Sequence, residues 1–292
     1  MNSMRVERTS ERHPSSVGWF MLLLLLLLRI PYTIFIIYYL PIENQNGSAF
    51  YEVSTYLLTC FLIWWERERL DDFHIDTLAL SLIIFLRPVQ TLVLSHWHVD
   101  SPLALPRPLG VTVWGISLVL LVALWRSGYK PEHVTTRSFL WILAGIALGI
   151  ALSITENIAT VKSMLSQATT HSTLGPVVAS STLNLLYHLS FAPVNEEPLF
   201  RGFLWGYLRK MRWKEFSIWI LQAILFASAH VYLATQFPLR FWIFIPISGL
   251  LLGLLAWRSR SVAGSIITHG LVNGSVYLLI VVLMLITLQG IR

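Results

Sequence analysis

The feature that most constrains this chain is a succession of apolar stretches separated by short polar connections. Each stretch is close to the ~20 residues that a helix needs to cross a bilayer. Of the 292 residues, 55% are hydrophobic and only 12% are charged, which is too apolar for an ordinary soluble domain. The sequence therefore predicts an all-α, polytopic transmembrane helical bundle of eight or nine spans. The stretches are 18–40, 49–65, 77–95, 109–125, 138–154, 176–194, 216–235, 241–257 and 262–288.

The basic residues indicate how the chain is oriented. Lys and Arg cluster in alternate connections, so topology explains the net charge of +6 better than nucleic-acid binding does. By the positive-inside rule we expect a cytoplasmic N-terminal segment 1–16, followed by N-terminal transmembrane spans over 17–175. The expected location is the plasma (inner) membrane. Arg29 lies inside the first apolar stretch, where we expect it to snorkel to the interface or to mark a break at Pro31.

Two adjacent carboxylates, Glu196 and Glu197, follow the apolar stretch 176–194. An ionised carboxylate in hydrocarbon persists only if it is paired, faces a wet cavity or takes part in chemistry. Glu197 and Arg201 are four residues apart and can pair across one helical turn, whereas Glu196 points about 100° away around the axis. We therefore expect Glu197 and Arg201 to form an ion pair that leaves Glu196 free.

Two later apolar stretches supply further polar groups. His230 interrupts the stretch 216–235, and His269 with Asn273 shares a helix face in the last stretch. Pairs of glycines four residues apart predict close helix packing. The pairs are Gly145 with Gly149, Gly249 with Gly253, and Gly270 with Gly274.

The chemistry that such a set favours is hydrolysis. A carboxylate partly removed from water binds a proton more readily, which suits Glu196 to act as a general base for water. Imidazole and carboxamide groups can donate to the oxyanion that forms at a peptide carbonyl. Alternatively, Glu196, His230 and His269 are three ligands of a Zn²⁺ that activates the water. The sequence leaves both mechanisms open.

Structural explanations compete with this interpretation. A single intramembrane His or Asn is usually an interhelical hydrogen-bond partner, and an acidic pair can bind a transported cation or proton. No two halves of the sequence carry corresponding polar residues, which argues modestly against a cation or proton transporter. The combination of groups favours an enzyme.

In these residues the sequence resembles the CAAX-protease and bacteriocin-processing (CPBP, or Abi) family of intramembrane glutamic peptidases. Three family motifs occur in the family's order, within about 176–288. They are Glu-Glu-x-x-x-Arg at Glu196, Glu197 and Arg201, Phe-x-x-x-His at Phe226 and His230, and His-x-x-x-Asn at His269 and Asn273.

The resemblance implies a catalytic transmembrane core over 176–290 with a membrane-embedded cavity. It implies that Glu196 activates water, that Glu197 and Arg201 support it, and that His230, His269 and Asn273 complete the site. The expected activity is cleavage of a membrane-associated peptide, either lipidated or bacteriocin-like, by a protein embedded in the lipid bilayer. We expect no nucleic-acid partner and, apart from the zinc alternative, no cofactor. The rival interpretation is a non-catalytic member that confers bacteriocin immunity or binds a partner protein.

Overall fold

The structure, a computed structural model, describes residues 16–32, 34–35, 45–96, 107–130, 136–168 and 174–290. Within these ranges it contains helices and no strands, so the predicted all-α class is confirmed for them. Residues 1–15, most of the predicted cytoplasmic segment, lie outside the described residues. The α-helices are α1 (Ser16–Leu27), α2 (Gln45–Trp65), α3 (Thr77–His96), α4 (Arg107–Arg126), α5 (Thr136–Ala168), α6 (Leu174–Ser190), α7 (Ala192–Glu197), α8 (Trp205–Lys210), α9 (Glu215–Ser228), α10 (Leu233–Gln236), α11 (Ile245–Ser259) and α12 (Ala263–Gly290).

Four segments have a different helical geometry. Arg67–Phe73 forms a 3₁₀-helix before α3, and three segments are π-helical: Leu28–Tyr32, Pro198–Leu204 and Arg240–Phe244. The π-helix is rare, and it occurs frequently at functional sites. Two of the π-helical segments carry arginines, Arg29 and Arg201, that reach the buried carboxylates described below.

The described helices identify a membrane protein, although with fewer spans than the sequence predicts. Three helical segments are long and apolar enough to cross a membrane: Leu109–Arg126, Phe139–Glu156 and Arg240–Ser259. A fourth is added if Arg67–Phe73 and Thr77–Val93, bent by 103°, count as one broken span. The count of eight or nine spans is therefore not confirmed. Large apolar side chains on α4 face outward, since Val111 is 71% exposed and Trp125 is 80% exposed, as expected for helices in contact with lipid.

Part of the difference in span number arises where apolar stretches are interrupted. The stretch 176–194 is divided at Phe191, between α6 and α7. The stretch 216–235 is divided after Ser228, where α9 ends in a turn before α10. Both interruptions lie beside polar residues of the predicted site, because Glu196 follows the first and His230 lies in the second.

The glycine pairs allow the close helix packing that their spacing predicts. A Cβ atom at Gly149 would lie 3.0 Å from the Thr268 carbonyl oxygen on α12, and one at Gly270 would lie 2.8 Å from the Leu189 Cα on α6. A Cβ at Gly249 would meet Phe226 and Ala223 of α9 at 3.3–3.4 Å. Helix α12, which carries His269, is therefore held against α5 and α6 by direct backbone approach.

Candidate active site

Glu196 and Glu197 lie at the end of α7, where the backbone changes from α-helical to π-helical. Helix α7 begins after Phe191 and has Pro193 in its first turn, a position where the missing N–H of proline leaves no hydrogen bond unmade. Pro198 then begins the π-helical segment. Both glutamates are 0% exposed, so each carboxylate depends on cations or hydrogen-bond donors within the protein.

Glu197 belongs to a closed cluster of charged and aromatic groups. Arg201 Nη1 donates to Glu197 Oε1 at 3.3 Å, and His269 Nδ1 donates to the same oxygen at 2.8 Å, since a carboxylate oxygen can only accept. The Arg201 guanidinium also donates to the Gly249 carbonyl at 3.2 Å and lies 4.2 Å from the centre of the Phe226 ring. The predicted pair of Glu197 with Arg201 is confirmed, and His269 joins it to α12.

Glu196 faces a different set of groups. Arg29, from the π-helical segment Leu28–Tyr32, donates through Nη2 to Glu196 Oε1 and through Nη1 to the Tyr51 hydroxyl on α2. Glu196 Oε2 accepts no hydrogen bond from the described part of the chain. Of the two alternatives expected for Arg29, snorkelling is wrong, because its side chain is only 10% exposed, whereas a break at Pro31 agrees with the end of α1 at Leu27 and the π-helical segment that follows. The expectation that Glu196 is left free is wrong, because Glu196 has a cationic partner.

His230 is the nearest imidazole to the Glu196 carboxylate. Its Nε2 atom lies 3.8 Å from Glu196 Oε2, which is too long for a direct hydrogen bond. Its Nδ1 atom donates to the Phe226 carbonyl oxygen at 2.8 Å. Because that bond fixes the proton on Nδ1, a neutral His230 ring presents the Nε2 lone pair to Glu196. Two acceptors therefore face each other across a gap.

The two imidazoles share one aromatic neighbour. The Phe226 ring centre lies 4.7 Å from the His230 ring centre and 5.7 Å from that of His269. Asn273 lies one turn beyond His269 on α12 and is partly buried. Its side chain takes part in none of the hydrogen bonds found among the described residues. The structure thus groups both glutamates, Arg201 and both histidines, while Asn273 is linked to them only through its helix.

The side chains predicted as alternative metal ligands are divided between the two carboxylates. His230 faces Glu196, whereas His269 donates to Glu197. The described residues contain no group of three or more His, Cys, Asp or Glu side chains arranged to hold a metal ion. In neutral rings each histidine has its Nδ1 proton engaged, so Nε2 is the atom through which either ring would bind a metal.

Two site residues were missed in the sequence analysis, Arg29 and Tyr51. The sequence contained a signal for Arg29, because an arginine within an apolar stretch is costly unless it has a partner. Glu196 was the carboxylate that the predicted pairing of Glu197 with Arg201 left without a cation. Nothing in the sequence singles out Tyr51, since the pairing depends on how α2 packs against the π-helical segment.

An apolar cavity of about 500 Å³ borders the segments that carry Arg29 and His230. Its lining includes Ile30, which follows Arg29 in the chain, and Val231, which follows His230. Trp242 closes another side of the cavity and is itself 70% exposed. The cavity therefore reaches the outer surface of the helices, and Arg29, Glu196 and His230 are not among the residues that line it.

The described helices and the buried groups together define a class of protein. It is a helical membrane protein in which a carboxylate and an imidazole face each other below the surface. Such groups support acid–base hydrolysis. Residues 178–275 match the model of the family described as type II CAAX prenyl endopeptidase Rce1-like, a CPBP family. The predicted resemblance is confirmed, and the chain carries an Rce1-like domain over these residues. No curated protein and no solved structure matches the chain.

The matched segment includes both glutamates, Arg201, both histidines and Asn273. It excludes Arg29 and Tyr51, which lie in the N-terminal part of the chain. The matched family is a family of CAAX proteases, which supports a protease.

Proposed function

We propose that the protein is a glutamate-type intramembrane endopeptidase in which Glu196 activates water, with residues 176–290 as its catalytic core. The observation that carries this proposal is the separation of 3.8 Å between Glu196 Oε2 and His230 Nε2. A water molecule that enters beside these two acceptors can donate one hydrogen to each, because acceptors this far apart can share one water that lies off the line joining them. The water oxygen would then keep its lone pairs for attack on a carbonyl carbon.

Hydrolysis would proceed by proton transfer through Glu196. The carboxylate takes a proton from the water as the water oxygen forms its bond to the peptide carbonyl carbon. The tetrahedral intermediate then breaks the carbon–nitrogen bond, and Glu196 returns the proton to the leaving amine. A neutral His230 orients the water by accepting its second hydrogen at Nε2.

The oxyanion requires donors on the opposite side of the carbonyl. The Asn273 amide is one candidate, because its side chain donates no hydrogen bond within the described residues. His269 is the other, but only when its ring carries both protons, since Nδ1 already donates to Glu197. Because Glu197 accepts from His269 and pairs with Arg201, Glu197 and Arg201 would act by holding His269 and α12 in place.

The substrate we propose is a membrane-associated peptide with a hydrocarbon modification, such as a prenylated C-terminal segment. The apolar cavity supports this choice, because its lining contains residues adjacent to both Arg29 and His230. A hydrocarbon chain in that cavity would lie against the segments that carry Arg29 and His230. The matched family's description names a prenyl endopeptidase, in agreement with this substrate class.

We also propose that the site lies toward the cytoplasmic face of the plasma (inner) membrane. The basic connections of the sequence support this orientation through the positive-inside rule. Cysteine variants near Arg212 and near Gln236 should react with an impermeant thiol reagent from opposite sides of sealed vesicles. Reaction of both from the same side would contradict the orientation.

The test of the catalytic proposal is cleavage of prenylated peptides by the detergent-solubilised protein, comparing the wild type with Glu196→Gln. Loss of the base should lower kcat by about 10²–10⁴-fold. Glu66→Gln is the matched control: Glu66 is 1% exposed and accepts a hydrogen bond from Tyr207 at 2.7 Å, within a separate cluster. Equal cleavage by Glu196→Gln and wild type would refute the assignment.

The same assay with a chelator addresses the zinc alternative. Glutamate catalysis without a metal predicts that wild-type cleavage is unchanged by chelation. Loss of cleavage on chelation, restored by adding Zn²⁺, would replace the water bridge with a metal site that includes Glu196 and His230.

A further inference from the structure

Arg29 reaches the proposed catalytic carboxylate from outside the matched family segment. It lies in the π-helical turn Leu28–Tyr32, which contains Pro31, and it is separated from Glu196 by 167 positions in the chain. Its residue exposure is 8%, and it is bound on two sides, by Glu196 Oε1 and by the Tyr51 hydroxyl. A buried arginine that is bound to two groups limits the movement of both.

The charges around the two glutamates show that Arg29 is needed at Glu196. Arg201 pairs with Glu197, so it does not serve both carboxylates. The other group within ion-pair distance of Glu196 in the described residues is His230, which is neutral when its Nε2 atom accepts from water. Without Arg29, the carboxylate would remain at 0% exposure with no cation beside it.

The bonding pattern also separates the two oxygens of Glu196. Arg29 occupies Oε1, while Oε2 accepts nothing from the described residues and points toward His230. An arginine can bind a carboxylate through both oxygens at once, and here it does not. The second amino group of the guanidinium donates to Tyr51, which fixes the side chain from the other side.

We propose that Arg29 is a positioning residue for the reaction, one that anchors Glu196 Oε1 so that Oε2 is presented to the water beside His230. Tyr51 holds Arg29 in the orientation that leaves Oε2 available. The N-terminal helix thereby completes a site whose other members come from the matched segment. This inference rests on the proposed function, because it assigns Glu196 as the base.

The test compares the kinetics of Arg29→Met and Arg29→Lys in the prenylated-peptide assay. Methionine removes the charge and both donors, and misplacing a catalytic group by about 1 Å costs roughly 10²-fold. We therefore expect Arg29→Met to lower kcat by about that factor while KM changes little. Lysine retains the charge and can still donate, so Arg29→Lys should recover most of the lost kcat, although it lacks the planar fork of arginine.

Arg69→Met controls for the cost of breaking an ion pair to a buried glutamate. Arg69 pairs with Glu66, whose side chain is 0% exposed, in a cluster separate from Glu196. Thermal melts of the purified variants give the folded fraction at the assay temperature, and kcat is expressed per folded molecule. Guanidinium chloride at millimolar concentration is added to Arg29→Met to replace the missing group.

A lowered kcat per folded molecule in Arg29→Met, with recovery by lysine or by guanidinium, would support the inference. Unchanged kcat per folded molecule would overturn it, as would a loss no greater than that of Arg69→Met. Failure of the proposed function appears separately, as cleavage by Glu196→Gln equal to that of the wild type. If Glu196→Gln is inactive and Arg29→Met is fully active, only the positioning role is lost.

Discussion

Replacing Arg201 with methionine should unfold the protein at a much lower temperature. Arg201 is 0% exposed, and its guanidinium has three partners: Glu197, the Gly249 carbonyl and the Phe226 ring. Removing it leaves the Glu197 carboxylate buried with His269 and the Ser265 hydroxyl as partners and without an arginine. Loss of one member of a buried pair costs about 3–5 kcal/mol.

The other contacts of Arg201 change this figure little. The Gly249 carbonyl also accepts from Gln222 Nε2 at 3.1 Å, so it is not left without a donor. Methionine retains apolar contact with the Phe226 ring, although the cation–π attraction is lost. A loss of 3–5 kcal/mol corresponds to a fall in melting temperature on the order of 10 °C for a chain of this size.

The assay is thermal unfolding in detergent, followed by circular dichroism, for Arg201→Met, Glu197→Gln and the double variant. The double variant removes both charges, so it should lose clearly less stability than the sum of the single losses. Lys214→Met is the surface control, because Lys214 is exposed and surface charges contribute ~0–1 kcal/mol. If Arg201→Met is no less stable than Lys214→Met, the buried cluster does not stabilise the fold as argued.

Two further predictions separate packing from catalysis. Gly149→Ala should lower the melting temperature, because its Cβ would lie 3.0 Å from the backbone of α12 and overpacking costs about 1–3 kcal/mol. Gly115→Ala on α4 should leave the melting temperature unchanged, because nothing lies within 4 Å of its Cβ. Melting curves of both variants in one detergent decide this, and equal shifts would contradict the packing argument. Glu196→Asp retracts the carboxylate by about 1.5 Å and should lower kcat more than it lowers stability, while Glu197→Asp should do the reverse. Paired kinetics and melts measure both quantities, and the same ratio of losses in the two variants would refute the division of roles.

The local parts of the site could be predicted from the sequence. The pair of Glu197 with Arg201 depends on a spacing of four along one segment, and that spacing holds even though the backbone becomes π-helical after Glu197. Glycine spacing likewise predicts close helix packing, as Gly149 shows against α12. Such features depend on short-range geometry, which the order of residues determines directly.

The long-range parts could not be predicted in the same way. The contact of Arg29 with Glu196 depends on how the first helical segment packs against α7, and no periodicity encodes that packing. The interruption at Phe191 lies inside a predominantly apolar stretch without Lys, Arg, Asp or Glu, so hydropathy alone predicts one continuous span there. Arg87 packs over the Phe191 ring at 4.9 Å, a tertiary contact at the point where the helix breaks.

The two adjacent glutamates differ in chemistry because their surroundings differ. Each faces one arginine and one histidine, so composition alone does not distinguish them. The distinguishing quantity is the carboxylate–imidazole distance, 2.8 Å at Glu197 and 3.8 Å at Glu196. A direct contact at the shorter distance links two helices, whereas at the longer distance the carboxylate and the imidazole share no direct hydrogen bond, and our proposal assigns a water to that place. Because adjacent helical positions diverge by about 100°, one short sequence motif places two carboxylates among different partners.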